Sequence, residues 1–181
     1  KSLMAVGLIA FCSSLGEGGV ADWSALYLVL VTQASQADAA LGFAIFSLAM
    51  VIFRLMGDRI IALLGKVSTG RASALTAFLG AALVLSSGYY PVILCGLALM
   101  GAGYAILIPV CFSRAAEEPS VSPGAAIASV STLGYSGFLL GPPVLGLVAE
   151  YTSMASVFVI LMLLTAIIFA ASKQLAPPSS K

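Results

Sequence analysis

The chain has 181 residues, of which 61% are hydrophobic and 8% charged, and its formal net charge is +1. Soluble domains carry about 25% charged residues, so this composition excludes a water-bounded globule, and most of the surface must face a lipid bilayer. The basic residues form no patch for nucleic acid. With no histidine, and with Cys12, Cys95 and Cys111 in separate apolar runs, no metal or cofactor site is expected.

The chain begins at Lys1 with no initiator methionine and no signal-peptide pattern, and reads as part of something longer. Crossing a ~30 Å hydrocarbon core takes about 17–25 helical residues. Six segments qualify, near 3–31, 39–57, 71–88, 91–113, 125–149 and 154–172. None alternates with period two as a barrel strand would, so the fold class is an all-α membrane protein with six transmembrane helices. Residues 1–174 make one six-helix bundle, and 175–181 are expected to be a disordered cytoplasmic tail. With six spans both termini lie on one side. All eight basic residues fall on that side and none in the opposite loops, which predicts cytoplasmic termini.

The first span carries GEGGVADWSALYL (16–28). At 1.5 Å per residue from Leu3, Glu17 lies roughly 21 Å in and Asp22 nearly 30 Å in. A carboxylate at the bilayer centre costs at least ~2.5–3.5 kcal/mol and usually faces a cavity or a partner. Gly16, Gly18 and Gly19 weaken the helix around Glu17, so an interruption is expected there. Asp22 is then the N-cap of a second half-helix. Glu17 could take up a proton or pair with a cationic or hydroxylated substrate. Trp23 and Tyr27, four apart, could stack on a ring. The alternative is a tilted helix whose acids sit among outer headgroups, with Trp23 and Tyr27 as belt residues.

The second connection, FRLMGDRIIALLGK (53–66), is expected at the inner helix end, with Arg54 and Asp58 close enough to pair at i, i+4. Simple positive-inside anchoring is the competing reading. In the fourth span, Gly101, Gly103 and Pro109 predict a bent, closely packed helix. Tyr104 is its one polar group at mid-depth, either lining a cavity or bonding a neighbouring helix. The fifth span carries GFLLGPPVLG (137–146). Gly137 and Gly141 allow close helix approach, and Pro142 and Pro143 are expected to kink the helix. Segments 41–58 and 133–150 align without gaps, ending in Asp58 and Glu150, which suggests two inverted-topology three-helix repeats.

Gly57, Asp58 and Arg59, with Gly65 and Lys66 downstream, resemble the inner-loop signature of the major facilitator superfamily, in the form between its eighth and ninth helices. Arg54 stands where the family pattern has its leading glycine, and Gly65-Lys66 comes several residues later than usual. Residues 16–28 and 122–150 likewise resemble the seventh and eleventh helices of bacterial permeases in that superfamily. The resemblance covers nearly the whole chain. It implies the C-terminal six-helix half of an inner-membrane secondary transporter, working by alternating access with an N-terminal six-helix half as partner. It also implies that Asp58 and its basic neighbours latch a gating state, and that the first and fourth spans line the cavity.

No GxxxxGK[ST] phosphate loop is present, so nucleotide hydrolysis by this chain is not expected. An intramembrane aspartic protease would need two adjacent aspartates, whereas Asp58 and Asp22 are expected near opposite surfaces. No enzyme is therefore expected. A non-transporting structural or assembly subunit is the remaining alternative.

Overall fold

The computed structural model describes residues 2–178. It is 88% helical, and six of its helical stretches are long and apolar enough to cross a membrane. The helices are α1 (Ser2–Thr32), α2 (Gln36–Leu55), α3 (Gly57–Leu64), α4 (Lys66–Ser86), α5 (Tyr90–Tyr104), α6 (Leu107–Ala116), α7 (Pro123–Tyr151) and α8 (Met154–Ala171). A 3-10 turn, Ser172–Leu175, follows. Apolar surroundings leave backbone amides no partner but their own helix, and the polar connections supply the caps. Ser35, Ser122 and Ser153 each accept from an amide in the first turn of α2, α7 and α8.

Packing follows a two-fold pattern. The first span (α1) packs on the fifth (α7), as the fourth (α5 and α6) packs on the second (α2). The third (α4) packs on the fourth as the sixth (α8) packs on the first. Third and sixth touch, and so do first and fourth. Exchanging spans one to three with four to six preserves every one of these pairings, as two inverted three-helix repeats require. The first and fourth spans are the most buried. Helices approach closely where a glycine on one faces the backbone of the other. A Cβ on Gly80 would lie 2.6 Å from the Gly96 carbonyl, and one on Gly137 would lie 2.5 Å from that of Phe11. Gly141 has only ordinary contacts with Leu15, and Pro142 and Pro143 are exposed inside an α7 that continues through them.

Expectations for the first span, the second connection and the boundary at residue 174 are corrected. The first span is one uninterrupted helix, so Asp22 lies inside α1 and caps nothing. Its glycines serve packing: Gly16, Gly18 and Gly19 face Tyr104, Phe138 and Leu145 with Leu161. The propensity lost at each glycine, about 1 kcal/mol, is small beside the cost of unbonded backbone groups in lipid.

The second span ends at Leu55, close to the expected residue 57, but the chain does not turn back there. After a break at Met56 the chain continues as α3 and reverses only at Gly65, whose φ of +75° is a conformation few other residues tolerate. Gly57 stands against Ile106, and Lys66 bonds the Ser113 carbonyl and pairs with Glu117 at 2.5 Å. Arg54 therefore lies level with the middle of the fourth span, and it does not pair with Asp58.

The interruption expected in the first span occurs in the fourth, between Tyr104 and Leu107. Pro109 has no N–H to offer the Ala105 carbonyl, so the helical ladder fails there.

Both described ends of the chain meet at one end of the bundle. Arg114, 3% exposed, donates to the Ala176 carbonyl at 2.7 Å, to Ser2 Oγ at 2.6 Å and to Glu118 at 3.3 Å. Leu175 is fully buried, so the packed chain runs past the expected boundary at 174. Lys1 and residues 179–181 of the expected tail lie outside the described residues.

Candidate functional site

Halfway along the bundle, the first, second, fourth and fifth spans enclose an open cavity of about 250 Å³. Each helix contributes one face. Ser14 and Glu17, three apart on α1, form one wall, with Arg54 of α2 beside them. Pro109 and Phe112, three apart on α6, form the next. Ser131, Tyr135 and Phe138 on α7 close the far side, with Gly134 keeping the floor low. Helical spacing places each set on one stripe.

The Glu17 carboxylate and the Arg54 guanidinium meet at 3.5 Å, with side chains 19% and 44% exposed. That is looser than the ~2.7–2.9 Å of a tight charge-assisted bond. Both groups keep unsatisfied hydrogen-bonding capacity toward the cavity. Arg54 is aimed by a second contact: its Nε donates to the Ala105 carbonyl at 3.0 Å. This is the carbonyl that Pro109 leaves without an intrahelical donor. A proline in one span thus creates the acceptor that positions an arginine from another, and the arginine then faces the acid of a third.

The other residues singled out from the sequence lie elsewhere. Tyr104 is fully buried with its phenol against Gly16, and its hydroxyl has no partner among the described residues. It neither lines the cavity nor bonds a neighbouring helix. Tyr27 is in the core, donating to the Val84 carbonyl at 3.1 Å and packing on Phe158 at 4.5 Å between ring centroids. Trp23 rests against Gly146, and Asp22 is exposed. Asp58 and Arg59 are exposed in the first turn of α3, while Gly57 of the same turn is buried against Ile106. Glu17 alone of the proposed binding residues reaches the cavity, and Arg54, read from the sequence as a gating residue, joins it there. The α7 stripe had a visible signal in Ser131, Tyr135 and Phe138 at i, i+4 and i+7. Nothing in the sequence says that this stripe faces Glu17.

The sequence matches the family model of the Major Facilitator Superfamily over residues 6–181. This chain belongs to the major facilitator superfamily. Within that superfamily it is 43% identical over 168 residues to the transporter y4wD of Sinorhizobium fredii, covering 93% of this chain and 45% of that protein. It is 33% identical over 165 residues to an MFS-type transporter of Yersinia pestis, covering 90% of this chain and 43% of that one. It is 34% identical over 170 residues to the membrane protein MosC of Rhizobium meliloti, covering 94% and 42%. The chain therefore spans less than half the length of these superfamily relatives. Among solved structures it superposes on FucP in the outward conformation with a TM-score of 0.84 at 20% identity, covering 98% of this chain and 43% of FucP. The superfamily peptide transporter POT, in complex with alafosfalin, gives 0.84 at 15% identity over 96% of this chain and 38% of that one. The bundle is thus a superfamily fold of six spans.

Proposed function

We propose that this chain acts as the C-terminal half of a secondary transporter that moves a small solute by alternating access, with the Glu17–Arg54 pair as its charged binding element. The observation that carries this reading is the pair itself: two opposite charges at mid-bundle, loosely joined, on the wall of an open cavity. Charges at that depth are costly unless they work on a substrate, an ion or each other. The cavity opens on the face formed by the first, second, fourth and fifth spans, which is where a second six-helix half would close it. The aromatic wall suits a solute with an apolar part, and the pair suits a polar or charged part.

Glu17 is also the group proposed to carry a coupling proton, because protonation would release Arg54 for a substrate acceptor. Asp58 and Arg59 are proposed to serve the gating latch that the family resemblance implies. Basic residues and both described chain ends share one end of the bundle, which supports an inner-membrane protein with cytoplasmic termini.

The test is Glu17→Gln in the intact transporter, assayed for uptake or efflux in vesicles across a pH series. Substrate movement should fall at least tenfold, or lose its dependence on a proton gradient. Unchanged transport with an unchanged pH profile would instead favour the structural-subunit alternative.

A further inference from the structure

Among the described residues the ion pairs are Arg54–Glu17, Lys66–Glu117 and Arg114–Glu118. Arg71 and Lys173, both exposed at the end of the bundle that holds the described chain ends, have no acid within 4 Å among the described residues. The Arg71 guanidinium instead lies over the ring of Phe169, 5.9 Å from its centroid. Lys173 follows four residues after Phe169 on the same span.

Directly beyond this cation, α4 and α8 leave an apolar groove of about 220 Å³. Ala74 and Ala166 form its floor, and Leu75, Phe78 and Phe169 form its sides. The groove exists because the two floor residues are alanines. Its rims face outward, with Leu75 49% and Phe169 44% exposed. From Arg71 to Phe78 is seven residues, so the groove runs roughly 10 Å into the bundle's apolar zone. Neither α4 nor α8 borders the central cavity. This is the side of the bundle away from the proposed second half, and it faces the bilayer.

We infer that Arg71 and the α4–α8 groove form a binding site for one anionic phospholipid of the leaflet on the terminal side. The cation takes the headgroup phosphate, and the groove holds the first stretch of an acyl chain. A phospholipid fits where other occupants do not, because the site is a cation at one end of an outward-facing apolar trough whose axis runs along the helices. Basic side chains near a membrane surface attract anionic lipid, each contributing about 1 kcal/mol, and the groove adds the contacts that turn attraction into a site. The inference stands apart from the transport reading, since no cavity residue enters it.

The experiment is native mass spectrometry of the intact transporter titrated with phosphatidylglycerol or phosphatidylcholine of matched acyl chains. The wild type should retain phosphatidylglycerol preferentially. Arg71→Gln should weaken that retention roughly fivefold, the factor that the loss of one such cation represents, while Arg71→Lys keeps most of it. Ala166→Phe, which fills the groove from an exposed position, should lower retention of both lipids. Size-exclusion profiles and melting temperatures confirm that each variant is folded. Equal retention of the two lipids by the wild type, or an Arg71→Gln variant with an unchanged preference, would overturn the site. So would an Ala166→Phe variant that binds as before, or a stable dimer whose contact covers the groove.

Discussion

Glu17 and Tyr104 are neighbours in space with opposite circumstances. Glu17 keeps a cavity in front of it and an arginine beside it. Tyr104 is sealed behind Gly16, and its hydroxyl is buried without a partner among the described residues. A buried hydroxyl that bonds nothing in the folded state carries an uncompensated desolvation cost of about 1–3 kcal/mol. Tyr104→Phe should therefore leave thermal stability in detergent unchanged or raise it. A fall of several degrees would mean that the hydroxyl has a partner in the membrane. The sequence marked both residues as polar groups at mid-depth. It did not separate them, because depth is a property of one helix whereas exposure depends on which helix lies opposite.

At the scale of the helix, the fourth span shows how a local defect acquires a use. Pro109 removes one backbone donor, α5 and α6 part between Tyr104 and Leu107, and Arg54 takes the vacant Ala105 carbonyl. Pro109→Ala would return that donor to the helix and compete with the guanidinium. The expected outcome is a melting temperature at or above wild type together with reduced substrate uptake, since Arg54 loses the contact that aims it at Glu17. Wild-type uptake would sink this account. A bend in the fourth span was legible from its glycines and proline. The intact first span was not, since three glycines in four residues look like a break until the chains packed against them are known. Likewise FRLMGDRIIALLGK looks like a surface turn because it holds four charges. In the fold only its last two residues, Gly65 and Lys66, make the turn.

At the scale of the whole bundle, Arg114 ties the end of the fourth span to the start of the first and to the segment after the sixth. Its charge is almost wholly removed from solvent and is balanced by Glu118. Removing one member of a buried pair commonly costs ~3–5 kcal/mol because the other is left uncompensated. Arg114→Ala should accordingly lower the melting temperature of the intact transporter by several degrees, and Arg114→Lys should restore only part, because one ammonium cannot span three acceptors in the same fork. An unchanged melting temperature would show that the cluster does not hold the chain ends.

The six spans, their order and the shared side of the two chain ends were all determined by the sequence alone. They depend on hydrophobic length and on charge excluded from lipid, which are additive along the chain and need no knowledge of neighbours. The resemblance to a transporter superfamily rested on short motifs, and the match over residues 6–181 places the chain there. The tertiary structure decided which polar groups meet. Arg54 is 37 residues from Glu17 in the chain and 51 from Ala105, and no periodicity within a single helix reports on a partner in another. Packing of one span's glycines against another's backbone set those distances, and with them the only mid-bundle charge pair among the described residues.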